Sequence, residues 1–457
     1  MKYILGIDMG TSSVKLKFDT EDGVQKQRVV YDEISPRGFW EAVCRGARSM
    51  DLRGIRAVSL TSQVGTYIAD GETMLSWKDK AGAAELGSVL GMLEREEAIR
   101  EISMPHPMIA SYPLPRLIYI KNNFEGAKKI GQPKDYLCEA LTGNFVSDRF
   151  SFRGLANLES GKYSETLLDK FGLSHFTLPK LMQPASVAGY ITKEASAATG
   201  IPEETRVVVG CNDFFAGLLG MGIWDEGDAF DITGTSEHLG YLRSDLPQAD
   251  DGLVAGGYFN LNVHYGVTAS SGVSLAYGRS FGNIQYISAE KALANTPPIF
   301  LPYLSGERAP IWDPAARGVF FGIKEGCTHD DMAYAVAEGV CFSMYHIYET
   351  MKMPTFRRIV TSGGAAKEPL LCRLKASLFG VPLVVCEEED ASVLGAQMIA
   401  SVALGDHKSL RSVMREVCVT SDMYLPDAAL RATLLRRFGT YRALYPALKA
   451  QMREGNL

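Results

Sequence analysis

The 457-residue chain has no Cys-x-x-Cys pair, no basic tract, no apolar run long enough to cross a bilayer and no low-complexity linker. Each absence narrows the field. The eight cysteines (44, 138, 211, 327, 341, 372, 386 and 418) are scattered, which suits a reducing cytosol and argues against a disulfide frame or a structural zinc site. A net charge of −6 without a basic cluster argues against nucleic acid as a partner. The longest later apolar stretch, Leu394 to Leu404, holds Gln397 and Ser401, and the N-terminal apolar run is cut short by Asp8. Neither a membrane span nor a signal peptide is expected, so the chain reads as soluble and cytoplasmic. With 46% hydrophobic and 22% charged residues it has a globular balance, and its length calls for at least two domains.

What is present is a pattern that occurs twice. Ile4-Leu5-Gly6-Ile7 runs into Asp8-Met9-Gly10-Thr11-Ser12-Ser13, and Ala229-Phe230-Asp231-Ile232 runs into Thr233-Gly234-Thr235-Ser236. Each reads as a buried strand delivering an Asp, then a tight turn lined with hydroxyls. Glycine lets backbone N–H groups crowd an anion, and Thr and Ser add donors. Two such turns facing each other could clamp a nucleotide's phosphates; either alone reads equally well as a hairpin.

Strands are expected at Tyr3–Ile7, Ser13–Phe18, Gln27–Val30, Ala57–Thr61 and Gly65–Ala69, with a helix over Arg37–Met50. Residues 81–200 read as mostly helical, broken by a proline-studded loop at Met104–Pro115. A buried strand at Arg206–Gly210 precedes a helix over Asp213–Gly222. The second half repeats the scheme, with strands at Ala229–Thr233, Glu237–Arg243, Ala255–Val263, Arg358–Thr361 and Pro382–Val385. Its helices are expected from Asp330, over Leu370–Phe379 and over Val393–Ala403, with an Arg-rich one over Ala428–Arg442. Thr328 and Asp331 form a capping-box pattern, with Met332, Val336 and Val340 on one face. A packed hinge is expected between residues 225 and 240, dividing the chain into 1–232 and 233–457.

Val207-Val208-Val209-Gly210-Cys211-Asn212-Asp213 places a carboxylate where a strand ends and a helix starts, a position that α/β proteins use for working groups. Phosphoryl transfer to a hydroxyl needs a base, and Asp213 is the candidate; the alternative is a helix N-cap. Glu307 and Arg317 lie in a stretch dense in Pro, Gly and aromatics, read either as ion pairs fixing a loop or as part of a site. Thr361-Ser362-Gly363-Gly364-Ala365-Ala366, and more weakly Ser270-Ser271-Gly272-Val273, permit close approach of a flat or anionic ligand, or are turns at helix starts. Trp77 and Asp79 could meet a polyhydroxy ligand, or mark a surface strand end.

Taken in order, these segments resemble the FGGY family of carbohydrate kinases. One family signature appears at Ser111-Tyr112-Pro113-Leu114-Pro115-Arg116-Leu117-Ile118-Tyr119, with Arg116 and Tyr119 where the family usually has Lys and Trp. Another runs from Gly318-Val319-Phe320-Phe321-Gly322 to Glu338, and Lys134-Asp135-Tyr136 with Asp148, the Gly306–Pro314 stretch and Leu394-Gly395-Ala396 also match. The resemblance implies an α/β fold of two duplicated ribonuclease H-like (actin-like ATPase) domains with a central cleft for ATP and substrate. It implies ATP and Mg²⁺ as cofactors and a small sugar or polyol as partner, with a homodimer left open. By resemblance, Gly10, Thr11 and Ser12 bind phosphates from the first domain and Gly234 and Thr235 from the second, and Lys15 reaches phosphates or points to solvent. Gly272, Gly364 and Ala365 line the adenosine pocket, and Glu368 accepts from the adenine amine or faces water. Asp8 places Mg²⁺, Asp213 is the base, and Gln63, Trp77 and Asp79 lie near the sugar.

The chain departs from the family at Ser62-Gln63-Val64-Gly65-Thr66, where xylulokinase-like members carry Gly-Gln-Met-His-Gly and glycerol kinases have Arg-Glu after the Gln. The expected activity is ATP-dependent phosphorylation of a terminal hydroxyl, with a ketose as the first substrate class. The alternatives are a non-sugar ATPase of the actin/Hsp70 type and a silent nucleotide or sugar sensor.

Overall fold

The structure, a computed structural model, describes residues 1–105, 109–247, 251–418 and 420–454. It divides into two compact units that do not follow a single cut in the chain. The first comprises Met1–Trp224, Gly256–Asn260 and Asp390–Cys418, and the second comprises Asp225–Ala255, Leu261–Glu389 and Val419–Leu457.

The first unit is built on strands β1 (Ile4–Met9), β2 (Ser13–Asp19), β3 (Val24–Val30), β4 (Ala57–Ser62), β5 (Val187–Tyr190) and β6 (Arg206–Asn212), in the order β5-β6-β4-β1-β2-β3. β1, β4 and β6 are parallel, and β2, β3 and β5 are antiparallel to their neighbours. β1 and β4 are buried at every residue, as central strands covered on both faces must be, whereas edge strand β3 alternates exposed and half-buried positions. Helix α1 (Pro36–Arg48) starts on Ser35, whose hydroxyl accepts from the Gly38 N–H, and buries Phe39, Ala42, Val43 and Ala47 in one core with Val14, Leu16, Val58 and Leu60. Helix α2 (Pro133–Thr142) opens on a Gln132/Asp135 capping box. Helix α3 (Asp213–Gly220) follows β6 directly.

The second unit repeats the plan with β7 (Asp228–Thr233), β8 (Glu237–Arg243), β9 (Leu261–Thr268), β10 (Arg358–Gly363), β11 (Leu383–Cys386) and β12 (Thr420–Tyr424). β7 pairs antiparallel with β8 and parallel with β10, as β1 does with β2 and β4. Asp8 lies opposite Thr61, and Asp231 opposite Thr361, so the duplication extends to register. Each unit therefore carries the expected ribonuclease H-like order. The helices are α4 (Gly272–Gly278), α5 (His329–Thr350) and α6 (Pro369–Phe379). The Thr328/Asp331 capping box forms. α5 is buried nearly all round from Ala333 to Tyr345 rather than along one stripe, and Met332 is only half-buried.

Residues 390–418 belong to the first unit, and their helix α7 (Ala391–Ala403) lies against α3 and β1. Three glycines permit this closeness. A Cβ on Gly395 would meet the Ala216 carbonyl oxygen at 1.9 Å, one on Gly220 the Ala391 oxygen at 1.9 Å, and one on Gly6 the Val393 side chain at 2.7 Å. Buried Gln397 then donates through Nε2 to the Ile4 carbonyl and to Asp19 Oδ2. The C-terminal helix α8 (Ala428–Glu454) runs past Pro446, twelve residues beyond the expected end at Arg442, because Tyr445 and Met452 are buried in the second unit's core.

Other expectations change. Residues 81–200 include strands at Ile130–Gly131, Val146–Asp148, Lys180–Met182 and β5 among their helices. Of the loop at Met104–Pro115, residues 106–108 lie outside the described residues, and Pro113 already starts a helix. Ala255–Val263 is two strands, Val254–Tyr258 and β9, broken at Phe259 with φ of 50°. The eight cysteines form no disulfide, and among the described residues no helix is long and apolar enough to cross a membrane.

Replacing Gly395 with Ala should cost about 1–3 kcal/mol, as overpacking typically does. The check is urea unfolding, with a lower midpoint at unchanged slope.

Candidate active site

In the first unit, the carboxyl ends of β1 and β6 set the site. β1 ends on Asp8 and Met9 and turns through Gly10, where the Gly10 N–H donates to the Ser13 carbonyl at 3.1 Å. The Gly10 carbonyl accepts from Tyr31 Oη at 3.1 Å and Gln63 Nε2 at 3.3 Å, which fixes the turn from two sides. Gln63 Oε1 is buried without a hydrogen-bond partner. Asp8 is almost fully buried; its Oδ2 accepts from Ser392 Oγ at 2.7 Å, and its Oδ1 is buried without a hydrogen-bond partner. Burial raises the Asp8 pKa, opposed by the Ser392 hydrogen bond and the positive charge of Lys15.

Asp213 is not the N-cap. Asn212 is, its side chain accepting from the Phe215 N–H at 2.9 Å, while Asp213 occupies the first helical position with Oδ1 accepting from the Phe214 N–H at 2.8 Å. Gly210, at φ +68°, lets the β6 bulge approach the Leu60 carbonyl, which a Cβ would meet at 1.7 Å. Burial, and then the charge of Asp8, push the Asp213 carboxyl up to about 7. The two carboxylates are therefore electrostatic neighbours.

Trp77 reaches the first turn, its Nε1–H donating to Thr11 Oγ1 at 3.0 Å. Its backbone N–H donates to Thr66 Oγ1 at 3.1 Å. Asp79 is exposed and its Oδ2 accepts from the Ser76 N–H at 2.6 Å. Ser12 is exposed on the turn. Lys15 pairs with Asp390 at 2.9 Å, its side chain 31% exposed.

In the second unit, three turns meet. The Gly272 N–H donates to the Gly234 carbonyl at 3.0 Å, and a Cβ on Gly272 would strike that oxygen at 2.5 Å. Thr233 Oγ1 donates to the Ser362 carbonyl at 2.8 Å and accepts from the Ala365 N–H at 3.0 Å, so the Gly364–Ala365 turn is tied to β7. Gly234, Thr235 and Gly364 are exposed there. Glu368 does not simply face water. Its Oε1 accepts from Arg279 at 2.7 Å, and its Oε2 is buried without a hydrogen-bond partner.

The two Asp-led copies differ electrically. Asp231 Oδ2 accepts from Lys375 Nζ at 2.7 Å and Thr361 Oγ1 at 2.9 Å, and Lys375 also contacts Glu237. Burial, then the Asp231 charge, push Glu237 up to about 8. Asp231 thus meets a buried ammonium, whereas Asp8 accepts from a neutral hydroxyl. Glu307 and Arg317 are not an ion pair. Glu307 accepts from Thr268, Ser270 and the Ala269 and Arg308 N–H groups, and Arg317 donates to the Pro314 and Ala316 carbonyls. Both fix loop shape through hydrogen bonds.

Ser392, Asp390, Thr66 and Lys375 were not legible as partners. Ser392 lies 384 residues from Asp8, and no local pattern links them. Only the family segment at Leu394-Gly395-Ala396 pointed to that stretch of chain.

Residues 3–220 match the model of the N-terminal domain of the FGGY family of carbohydrate kinases, and residues 232–404 that of its C-terminal domain. A xylulose kinase of Lactococcus lactis is 27% identical, the alignment covering 91% of this chain and 90% of that protein. A gluconokinase of Bacillus subtilis is 28% identical over 90% of this chain and 89% of its own length. A ligand-bound xylulose kinase from Lactobacillus acidophilus superposes with a TM-score of 0.85 at 24% identity, over 99% of this chain and all (100%) of that one.

Asn212→Ala should cost about 1 kcal/mol through loss of the cap. Asp213→Asn should leave thermal stability at neutral pH unchanged or higher, since it removes a carboxylate that is costly to ionise. Thermal unfolding of the two variants side by side checks this.

Proposed function

The chain belongs to the FGGY family of carbohydrate kinases, and from that premise we propose that it transfers the γ-phosphoryl group of ATP to a terminal hydroxyl of a small ketose. The observation that carries the reading is Asp213. A neighbour has taken over helix capping, leaving a carboxylate whose pKa, about 7, is matched to accepting a proton at neutral pH. As the new phosphorus–oxygen bond forms, the hydroxyl proton passes to Asp213 and the bond between the γ-phosphorus and the bridging oxygen of ADP breaks.

Thr11 and Ser12 supply N–H and hydroxyl donors to the phosphates, on the turn that Gly10 shapes. Within the second unit, the Gly234–Thr235, Gly272 and Gly364–Ala365 turns are nucleotide-binding candidates of their own, and Glu368 Oε2 is left to accept from an adenine amine. The unpartnered Asp8 Oδ1 is a hard oxygen donor that fits Mg²⁺, directly or through water. When bound, Mg²⁺ would offset phosphate charge. Gln63, Trp77 and Asp79 contact the sugar, with Gln63 Oε1 ready to accept from a hydroxyl. Relatives named xylulose kinase favour a ketose, and relatives named gluconokinase make an aldonate the next class to try.

A panel of ketoses, polyols and aldonates, scored for sugar-dependent ATP consumption, tests the reading; consumption independent of every sugar would reject it. Asp213→Ala should lower turnover by about 10²–10⁴-fold, the usual contribution of a positioned base, while ATP binding persists. Near-wild-type turnover in that variant would remove Asp213 from the mechanism. In the wild type, kcat/KM for the sugar should fall as pH drops through about 7, because protonated Asp213 cannot accept a proton.

A further inference from the structure

Trp77 is 36% exposed, so part of the residue is open to a ligand, yet its indole N–H is spent on Thr11 Oγ1. The loop that carries it is held firmly. Trp77 N–H donates to Thr66 Oγ1, Ser76 N–H donates to Asp79 Oδ2, and Nη2 of fully buried Arg116 donates to the Ser76 and Asp79 carbonyls at 2.9 and 3.0 Å. A threonine hydroxyl that accepts from an indole N–H keeps its own hydrogen to give, directed away from the indole. Trp77 therefore sets the direction in which Thr11 can donate.

We infer that Trp77 is a positioning residue that couples sugar binding to phosphate binding through the Nε1–H···Oγ1 bond to Thr11. The inference rests on the kinase reading above. A sugar packed against the ring holds the indole in place, and the indole holds the Thr11 hydroxyl in its donating orientation. Each ligand favours the indole rotamer in which this bond is made, so the binding of one favours the binding of the other. Arg116 supports the device from below by fixing the two carbonyls that bracket Trp77.

The test is calorimetric affinity for the β,γ-imido analogue of ATP, with and without the sugar found in the panel. It uses the full chain as wild type, Trp77→Phe, Thr11→Val and Thr11→Ser. The wild type should bind the analogue roughly 5–150-fold more tightly with sugar, the usual range of coupling. Trp77→Phe keeps an aromatic ring but loses the donor, and Thr11→Val loses the acceptor. In both, the ratio should fall to within about twofold of one. Thr11→Ser restores the hydroxyl and should restore the ratio. Wild-type coupling in Trp77→Phe, or loss in Thr11→Ser equal to that in Thr11→Val, overturns the inference. Should Trp77→Phe fail to fold, the Thr11 pair decides alone. A wild type that phosphorylates a sugar but shows a ratio of one rejects the coupling and leaves the kinase reading standing. A wild type that consumes no ATP with any sugar rejects both.

Discussion

The first unit depends on two carboxylates placed where neither ionises easily. Asp8 ends β1 and Asp213 begins the helix after β6; burial raises both pKa values, and the charge of Asp8 adds to the cost at Asp213. The elements that carry them are packed backbone against backbone. Gly210 brings β6 onto the Leu60 carbonyl, and Gly220 and Gly395 bring α7 onto α3. Ser392, on α7, then places its hydroxyl on Asp8.

Duplication supplied two copies of one plan, and the copies have diverged electrically. Asp231 has the register of Asp8, but Lys375 neutralises it and Glu237 sits beside it with its carboxyl raised. The second copy therefore holds its charge inside the unit, stabilising the turn above it. In the first, Asp8 Oδ2 accepts from the Ser392 hydroxyl. One Asp of the pair meets a buried ammonium, and the other a hydroxyl.

Much of this was legible because it is local. A strand that ends in an Asp and runs into Gly-Thr-Ser writes its geometry in consecutive residues, and so does the Thr328/Asp331 box. One-residue questions were harder. Sequence alone left Asp213 as either cap or base, because Asn and Asp are both good caps and they stand side by side; the hydrogen bond from Phe215 to Asn212 separates them. Lys15 read as a phosphate ligand or a solvent-facing cation, and its partner Asp390 lies hundreds of residues away.

By itself, the order of residues gave the paired turns and the candidate base, which follow from periodicity and from short motifs whose atoms are covalently close, and the fold class through the ordered segments that resemble the family. Only the tertiary structure decided which charges are neutralised, which helix covers the first sheet and which hydroxyl meets the indole of Trp77. Those depend on contacts between segments distant in the chain, such as α7 with β1 and Lys375 with Asp231, whose energies no local pattern records.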